Sequence, residues 1–383
     1  MDFDVQWLLL ALPLVFAIGW LASRLDMRQW RREQRDSPRA YYKGLNLLLN
    51  EQYDKAIDAF IEAVQQDPDT SDLHFALGSL FRRRGEYERA VRLHQHLLQR
   101  ADLPKTERDR AQYALAQDFL KAGLFDRAEQ AYGMLHETAF DTEARLALMT
   151  LHERGRDWHA AIATARQLET VGAASFASRI SHYWCELAVE ADARQATAQA
   201  DAAVASARDA APQAPRPLVL AGQRAFSRGD PALALAEWGE LLSIDPRPFG
   251  LVARDYARAA LTVGCAPAAL EQLRVLYARA PSVDLLAAIA LLDADPAHQR
   301  DRLLAHMHEH PTLTAAQSLL LLSETEPLNG AALASLRDAI ARAAKPLQRY
   351  RCAACGFEAQ HYFWQCPGCL SWDTYPPHRL EDQ

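Results

Sequence analysis

The chain has 383 residues, half of them hydrophobic, and a formal net charge of −7. That length is sufficient for two or three domains with a sizeable buried core. Nucleic-acid-binding proteins usually show a basic domain or stripe, and the dense basic run of this chain is short, so the charge balance argues against a nucleic-acid partner. Alanine and leucine dominate the body of the chain, whereas valine and isoleucine are sparse, which favours helices over sheets.

The first element is an apolar stretch at residues 5–22, VQWLLLALPLVFAIGWLA. Its length of about 18 residues is close to the lower limit for a helix that crosses a bilayer, and a tryptophan lies near each end. The alternative is a cleaved signal peptide, but Asp2 and Asp4 stand where such peptides carry positive charge, and no small-residue cleavage motif follows. We therefore predict an uncleaved transmembrane anchor at residues 1–23.

A basic segment at residues 24–36 follows the anchor. It contains Arg24, Arg28, Arg31, Arg32 and Arg35. Because basic residues remain on the cytoplasmic side, the N-terminus should face out and the remaining ~360 residues should lie in the cytoplasm. The arginines either touch anionic lipid headgroups as well or only set the orientation, and the sequence leaves both interpretations open.

The body of the chain, residues 37–344, repeats itself with a period of 34 residues. The matching pairs are Gly44 and Gly78, Glu51 and Gly85, Tyr53 and Tyr87, and Ala56 and Ala90. A small residue, an aromatic, an alanine, a larger apolar residue and a closing proline form the tetratricopeptide pattern. Five further units follow with drift, and beyond residue 283 the helices stay amphipathic but the units are too weak to count.

These repeats predict an all-α fold in which helical hairpins stack into a superhelical solenoid with a concave groove. Small residues let the two helices of a hairpin approach closely, and a proline ends the second helix. A generic helical bundle is the alternative, which seven concordant units disfavour. Such arrays bind peptides or proteins and seldom carry out chemistry. No serine–histidine–acid arrangement, phosphate loop or paired-carboxylate motif stands out, so we do not expect an enzyme.

Three features within the array carry weaker predictions. Residues 200–217 are rich in alanine and proline, which indicates a helix end, a tight connection and a candidate joint between two subarrays. Cys185 and Cys265 stand alone in helical patterns and are expected to be small buried hydrophobes. The run HMHEHP places His306 and His310 on one helix face, but no third ligand is identifiable, so we expect an exposed helix end rather than a metal site.

The tail, residues 345–383, contains a cysteine cluster. Its members are Cys352, Cys355, Cys366 and Cys369. The spacing C-x2-C-x10-C-x2-C predicts a tetrahedral four-thiolate site for one iron or zinc ion, with Gly356 permitting a tight turn after the second cysteine. A closed set of four thiolates has no open position, so the site is not a hydrolytic centre. Two disulfides or no metal are the alternatives, and a cytoplasmic location disfavours the disulfides.

The module around these cysteines resembles a rubredoxin-type or zinc-ribbon knuckle pair. It is shorter than a rubredoxin and has Leu370 where that family usually has glycine, so an electron-transfer role is not expected. The aromatic spacer FEAQHYFWQ predicts a short β-hairpin arm. About 30 residues cannot build an adequate core, so the metal should staple the module and the aromatic arm should dock it onto the last repeats.

The anchor, the repeats and the stretch from Tyr350 to Trp372 together resemble the lipopolysaccharide assembly protein B family of Gram-negative bacteria over essentially the full length. The resemblance implies a single-pass protein of the inner membrane with a periplasmic N-terminus and a cytoplasmic C-terminal domain. It implies that Cys352, Cys355, Cys366 and Cys369 are the metal ligands.

The resemblance also implies a role as adaptor. Family members promote turnover, by the membrane AAA+ protease FtsH, of the UDP-acyl-GlcNAc deacetylase that commits precursors to lipid A. An inner-membrane lipopolysaccharide sensor protein opposes them through the anchor region. The alternative hypotheses are a scaffold that gathers lipopolysaccharide synthesis and export proteins, and a redox or metal sensor.

Overall fold

The computed structural model describes residues 42–66, 70–310, 312–322, 337–338 and 340–382. The predicted anchor, residues 1–23, and the basic segment, residues 24–36, lie outside the described residues. Within the described ranges, no helix combines the length and the apolar character that are needed to cross a bilayer.

The described part of the chain is mostly helical. Helix α1 covers residues 42–49, and helices α2 to α17 are Tyr53–Gln66, Ser71–Arg84, Tyr87–Gln99, Lys105–Lys121, Phe125–Gly133, Asp141–Gly155, Trp158–Thr170, Ala177–Ala193, Thr197–Ala210, Pro215–Ser227, Pro231–Ile244, Ala253–Val263, Ala266–Arg279, Val283–Leu292, Pro296–Glu309 and Leu313–Leu322. The described residues also include two 3₁₀ helices, η1 (Arg247–Leu251) and η2 (Leu380–Asp382), and two short strands, β1 (Tyr350–Arg351) and β2 (Glu358–Ala359). Residues 340–344 are helical as well.

Consecutive helices pair as predicted for a tetratricopeptide array. The pairs α1–α2 through α13–α14 correspond to the seven units seen in the sequence, and α15 to α17 continue the helical array beyond them. Pro246 and Pro281 follow the ends of α12 and α14, where a proline cannot continue a helix. The prediction of a mostly helical repeat array is therefore confirmed for the described residues.

The chain divides into two compact parts between Ala173 and Ala174. These parts are called the first unit and the second unit below, and each contains several repeats. This differs from the joint predicted at residues 200–217. There, α10 ends at Ala210 and Pro215 occupies the first turn of α11, a position that suits proline because its missing N–H is not needed. Residues of α9, α10 and α11 share one apolar cluster, so this alanine-rich stretch lies inside the second unit.

Glycines of the first helix of a pair lie against large side chains of the second. Gly44, Gly78 and Gly222 face Phe60, His94 and Trp238, and each partner is 16 residues further along the chain. A Cβ added at any of the three glycines would overlap with the partner ring. The predicted role of small residues, a close approach of two helices, is therefore confirmed at these three positions.

We expect Gly222→Ala to destabilise the second unit by about 1–3 kcal/mol, because the indole of Trp238 is fully buried and cannot move away from a new methyl group. The measurement is the midpoint of chemical unfolding followed by circular dichroism. Gly239→Ala is the matched control, since a Cβ there meets no atom within 4 Å. In helix α12 it should be neutral or stabilise by about 0.5–1 kcal/mol. Equal midpoints for both variants would contradict the prediction.

Candidate metal centre

Within the tail, residues 350–377 fold as a small module that is called the ribbon below. It consists of two Cys-x-x-Cys turns, the knuckles. Strand β1 pairs antiparallel with β2, with Arg351 opposite Glu358, and Gln365 forms a bridge with Trp372. Each pairing closes the base of one Cys-x-x-Cys turn. The predicted hairpin within the aromatic spacer is therefore wrong: each end of the spacer pairs across its own knuckle, because each knuckle turn already reverses the chain.

The structure brings the four predicted ligands together. Their Sγ atoms all lie within 4.8 Å of one another, with 3.8 Å between Cys352 and Cys369 and 3.6 Å between Cys355 and Cys366. A tetrahedral ion with metal–sulfur bonds of about 2.3 Å requires sulfur–sulfur distances of about 3.8 Å, whereas a disulfide would require about 2.05 Å. The sulfur positions therefore fit one tetrahedral ion, and a thiolate set of this kind suits zinc and iron alike.

Hydrogen bonds favour the thiolate form of two of the ligands. Burial raises the pKa of Cys352, but hydrogen bonds from the Thr374 hydroxyl and from backbone N–H groups outweigh burial and lower this pKa to about 6. The Thr374 Oγ1 atom lies 3.1 Å from Cys352 Sγ. Hydrogen bonds from the side chain and the N–H of Ser371 lower the pKa of Cys369. Since metals bind the thiolate, both shifts favour metal binding at neutral pH. At Cys355 a backbone hydrogen bond from Phe357 lowers the pKa, but desolvation and hydrogen bonds with the other three cysteines outweigh it and raise this pKa to about 12, so a bound ion would be needed to hold Cys355 as a thiolate.

The residues that follow the two knuckles adopt the same left-handed conformation. Gly356 has φ of +76° and Leu370 has φ of +60°, and their N–H groups donate to the carbonyls of Cys352 and Cys366 at 2.9 and 2.8 Å. Glycine takes this conformation without strain, whereas leucine does so at a cost of roughly 1–2 kcal/mol. Leu370 therefore adopts after the second knuckle the same turn that Gly356 adopts after the first.

We expect Gly356→Ala to weaken zinc binding about fivefold, a loss of ~1 kcal/mol that comes from strain alone because an added Cβ meets no atom within 4 Å. Leu370→Gly should leave the affinity unchanged or raise it, since it removes the same strain. Competition with a chromogenic chelator measures both constants. An unchanged affinity for Gly356→Ala would show that the turn tolerates a side chain and would contradict the prediction.

The ribbon docks onto the repeats through the residues after its second knuckle. Both carboxylate oxygens of Asp373 lie 2.9 Å from His182 Nε2 on α9, and the ring of Trp372 stacks on His182 at 4.7 Å. The guanidinium of Arg216 on α11 lies 5.7 Å from the ring centre of Trp364, within cation–π range. The aromatic residues of the tail therefore contact the fifth and sixth helical pairs.

The C-terminal end of the chain contacts later helices. Arg379 pairs with Asp284 of α15 at 3.0 Å, and the Thr314 N–H donates to the Glu381 carboxylate at 3.2 Å. The sequence predicted docking onto the last repeats. That holds for these terminal residues, but the ribbon itself contacts the earlier helices α9 and α11. The reason is that Trp372 and Asp373 find their aromatic and histidine partners on α9, which no local pattern reveals.

His182 is buried, and its two neighbours assign its proton to Nε2. The Arg216 guanidinium lies 3.4 Å from Nδ1, which must therefore accept, so Nε2–H donates to Asp373. Burial lowers the pKa of His182 below its usual value of about 6.5, in spite of the nearby Asp373 carboxylate. The contribution of neutral His182 to stability is thus complete above about pH 6.5 and is lost as the pH falls.

We accordingly expect the unfolding midpoint of the metal-loaded protein to fall between pH 7.5 and pH 5.5, and to fall less in His182→Gln. The glutamine keeps a donor for Asp373 but has no proton to gain. Any acid-induced loss of metal is common to both proteins, so the difference between them isolates His182. Parallel pH profiles would show that His182 does not titrate in this range.

A cleft of about 650 Å³ lies between the ribbon and the repeats. The ribbon contributes Tyr362, Trp364 and Asp373, and the repeats contribute, among others, Gln213 from the turn before α11 and Arg247 from η1. Its walls combine aromatic rings, carboxylates and an exposed arginine. The cleft has the dimensions and mixed polarity of a site for a peptide side chain or a short extended segment.

The remaining residues that the sequence singled out are placed as follows. His306 is buried with its Nδ1 atom 2.6 Å from the Tyr277 hydroxyl, so the expected exposed helix end is wrong for this residue, although His308 and His310 are exposed. In the described residues, only the four tail cysteines form a group of three or more suited to a metal. Cys185 is buried, which raises its pKa to about 12, but Cys265 is only half-buried.

Comparisons with known proteins match this architecture. Residues 350–377 match the rubredoxin metal binding domain family, and residues 73–110 match the tetratricopeptide repeat family. The chain is similar to lipopolysaccharide assembly protein B of Escherichia coli strain K12, with 30% identity over 98% of both chains. It is also similar to lipopolysaccharide assembly protein B of Haemophilus influenzae, with 25% identity over 97% of this chain and 98% of that protein. The similarity thus extends far beyond the ribbon or a single repeat.

Proposed function

The chain belongs to the lipopolysaccharide assembly protein B family, and from this premise we propose that it regulates lipopolysaccharide biosynthesis as a non-enzymatic adaptor at the inner membrane. The observation that carries the proposal is similarity over 98% of both chains, which includes the repeats and the metal ribbon together. In the proposed role, the protein delivers the UDP-acyl-GlcNAc deacetylase that commits precursors to lipid A to the membrane protease FtsH.

The predicted topology supports this role. An apolar stretch at residues 5–22 followed by arginines would hold the protein in the inner membrane as a single-pass protein, with its N-terminus in the periplasm and its repeats in the cytoplasm. A shared bilayer raises the local concentration of an adaptor beside a membrane protease. We propose that the inner-membrane lipopolysaccharide sensor opposes the adaptor at this anchor, and that the arginines contact membrane lipids.

The metal ribbon supports the adaptor role because it forms one wall of the proposed client site. Cys352, Cys355, Cys366 and Cys369 would hold one zinc or iron ion, and a closed set of thiolates would fix the ribbon without offering a reactive position. With the ribbon held in this pose, the cleft beside Trp364 stays open to an extended segment. We propose that a segment of the client protein binds in this cleft.

The first test is the half-life of the deacetylase in cells depleted of this protein, chased after a block of translation. A several-fold longer half-life is expected, and replacing the chromosomal copy with one that lacks residues 1–22 should lengthen it as well. Exchanging residues 5–22 for an unrelated membrane helix is the matched control, which should restore turnover if anchoring alone matters. An unchanged half-life together with failed lipopolysaccharide assembly would favour a scaffold for synthesis and export proteins.

The client cleft is tested by placing a photo-crosslinking amino acid at Gln213, which is exposed at the rim of the cleft. Illumination should join the deacetylase to this position in cells. The control position is Glu129, which is also exposed and lies on α6 of the first unit. Equal crosslinking at both positions, or none at Gln213, would contradict the assignment of the cleft.

A further inference from the structure

The four thiolates of the ribbon are unequally shielded from solvent. Cys352 and Cys366 are at most 1% exposed, whereas Cys355 is exposed and Cys369 is half-buried. Tyr375, itself buried, covers the inner side, with its hydroxyl 4.0 Å from Cys366 Sγ. One side of the metal site is therefore sealed by protein, and the other side is open at Cys355.

The surroundings of Cys355 leave its sulfur accessible to small reactants. Its neighbours Ala353, Ala354 and Gly356 are also exposed, and their side chains are too small to form a lid. The buried Cys366 sulfur lies 3.6 Å from the Cys355 sulfur, on the opposite knuckle. An accessible sulfur thus lies next to a second cysteine that is protected from solvent, an arrangement found at redox-sensitive cysteine pairs.

We propose that Cys355 is an oxidation site at which hydrogen peroxide converts Cys355 and Cys366 into a disulfide and thereby ejects the metal ion. This inference goes beyond the adaptor role and does not depend on it. It assigns the exposed thiolate a chemical reactivity that a purely structural metal site would not use.

The reaction proceeds in two balanced steps. The Cys355 sulfur attacks the peroxide, the O–O bond breaks, and the sulfur is oxidised to a sulfenic acid while the departing oxygen takes up a proton as water. The Cys366 thiolate then attacks the Cys355 sulfur, forms the S–S bond and expels hydroxide, which is protonated to a second water. Two thiolates and two protons are consumed for each peroxide, and the ion is left with two ligands.

Loss of the ion should loosen the docking of the ribbon. Trp372 and Asp373, which contact His182, follow Cys369 by only three and four residues. Two of the four buried members of the ribbon core, Cys352 and Cys366, are themselves ligands. Oxidation therefore removes the interaction that orients the docking residues, and the ribbon becomes a reporter of peroxide.

The test uses the zinc-loaded full-length protein in detergent, treated with hydrogen peroxide. Zinc release is followed with a chromogenic chelator, and disulfides are mapped after digestion with trypsin and a glutamate-specific protease. Cleavage after Arg351, Glu358 and Arg379 separates the two knuckles into peptides 352–358 and 359–379. The expected first product is a pair of these peptides joined through Cys355 and Cys366, formed with one equivalent of released zinc.

Alkylation of the native protein gives an independent measurement that needs no variant. Iodoacetamide should modify Cys355 at least about tenfold faster than Cys185, which is fully buried outside the ribbon. Cys265→Ser should leave zinc release by peroxide unchanged, because this half-buried cysteine belongs to α14 and not to the site. A first disulfide within one knuckle, zinc release without a disulfide, or slower alkylation of Cys355 than of Cys369 would each overturn the proposal.

Discussion

Replacing Cys366 with serine is expected to abolish metal binding and to free the ribbon from the repeats. The Cys366 side chain is fully buried, so no water can take the place of the missing thiolate. The fully buried ribbon core consists of Tyr350, Tyr375 and two cysteines, so without the ion this core retains only two large buried side chains. Structural zinc contributes about 10–16 kcal/mol of apparent folding free energy in zinc-finger peptides, which exceeds what so small a core supplies.

The consequences of this substitution are measured by metal content and by limited trypsin digestion. The metal content should fall from one ion per chain to nearly none, and cleavage at Arg349 and Arg351 should become rapid. Cys355→Ser should give a milder loss, because water reaches its exposed position and can complete the coordination. Cys265→Ser is the control with wild-type behaviour expected, since serine suits the position before α14. A Cys366→Ser protein that retains metal and resists trypsin would show that the ribbon holds itself together.

The cysteine site was predictable because its determinants are local. Two Cys-x-x-Cys turns specify which sulfurs converge, and the glycine that follows the first turn adopts the positive φ that the turn demands. The docking site of the ribbon was not predictable, because His182 and Asp373 are 191 residues apart and neither lies in a recognisable motif. Contacts at such separation depend on how the whole array stacks, which a single sequence does not reveal.

In the repeat array, too, some features were predictable from local sequence and others were not. The 34-residue period identified the helical pairs, and the close approach of Gly222 to Trp238 follows from the size of a glycine. The joint was misplaced because alanine and proline at residues 200–217 look like a linker, whereas alanine continues α10 to Ala210 and proline suits the first turn of a helix. His306 was misjudged because a histidine near a helix end is usually solvated, whereas this one is buried with the Tyr277 hydroxyl and Thr312 Oγ1 beside its two ring nitrogens.

A buried polar cluster in the first unit was also not predicted from the sequence. Asp118 on α5 and His94 on α4 are both fully buried, with 2.5 Å between a carboxylate oxygen and His94 Nδ1, and Arg82 of α3 donates to the other oxygen at 2.7 Å. A signal was present, since Asp118 follows Ala111 and Ala114 at helical spacing on the buried face of α5. A charged residue on an apolar stripe indicates a buried partner.

We expect Asp118→Ala to destabilise the first unit by about 3–5 kcal/mol, because it leaves the Arg82 charge and a buried imidazole without their partner. Asp118→Asn should fall between this variant and the wild type, since the amide keeps the shape and one acceptor. Asp72→Ala is the matched control: its carboxylate also pairs with an arginine, Arg110, at 2.8 Å, but is 68% exposed, so its loss should change stability by no more than about 1 kcal/mol.

Chemical unfolding of the three variants measures these differences, and the order of their midpoints separates two explanations of the cluster. If burial makes the pairing important, the unfolding midpoint of Asp118→Ala should lie far below that of Asp72→Ala, although each substitution removes one carboxylate from one arginine. Equal midpoints would mean that water or a rearranged Arg82 compensates for the lost carboxylate, and that the cluster does not stabilise the contacts among α3, α4 and α5. The comparison therefore tests whether a buried polar group links adjacent repeats that apolar packing alone would leave less tightly joined.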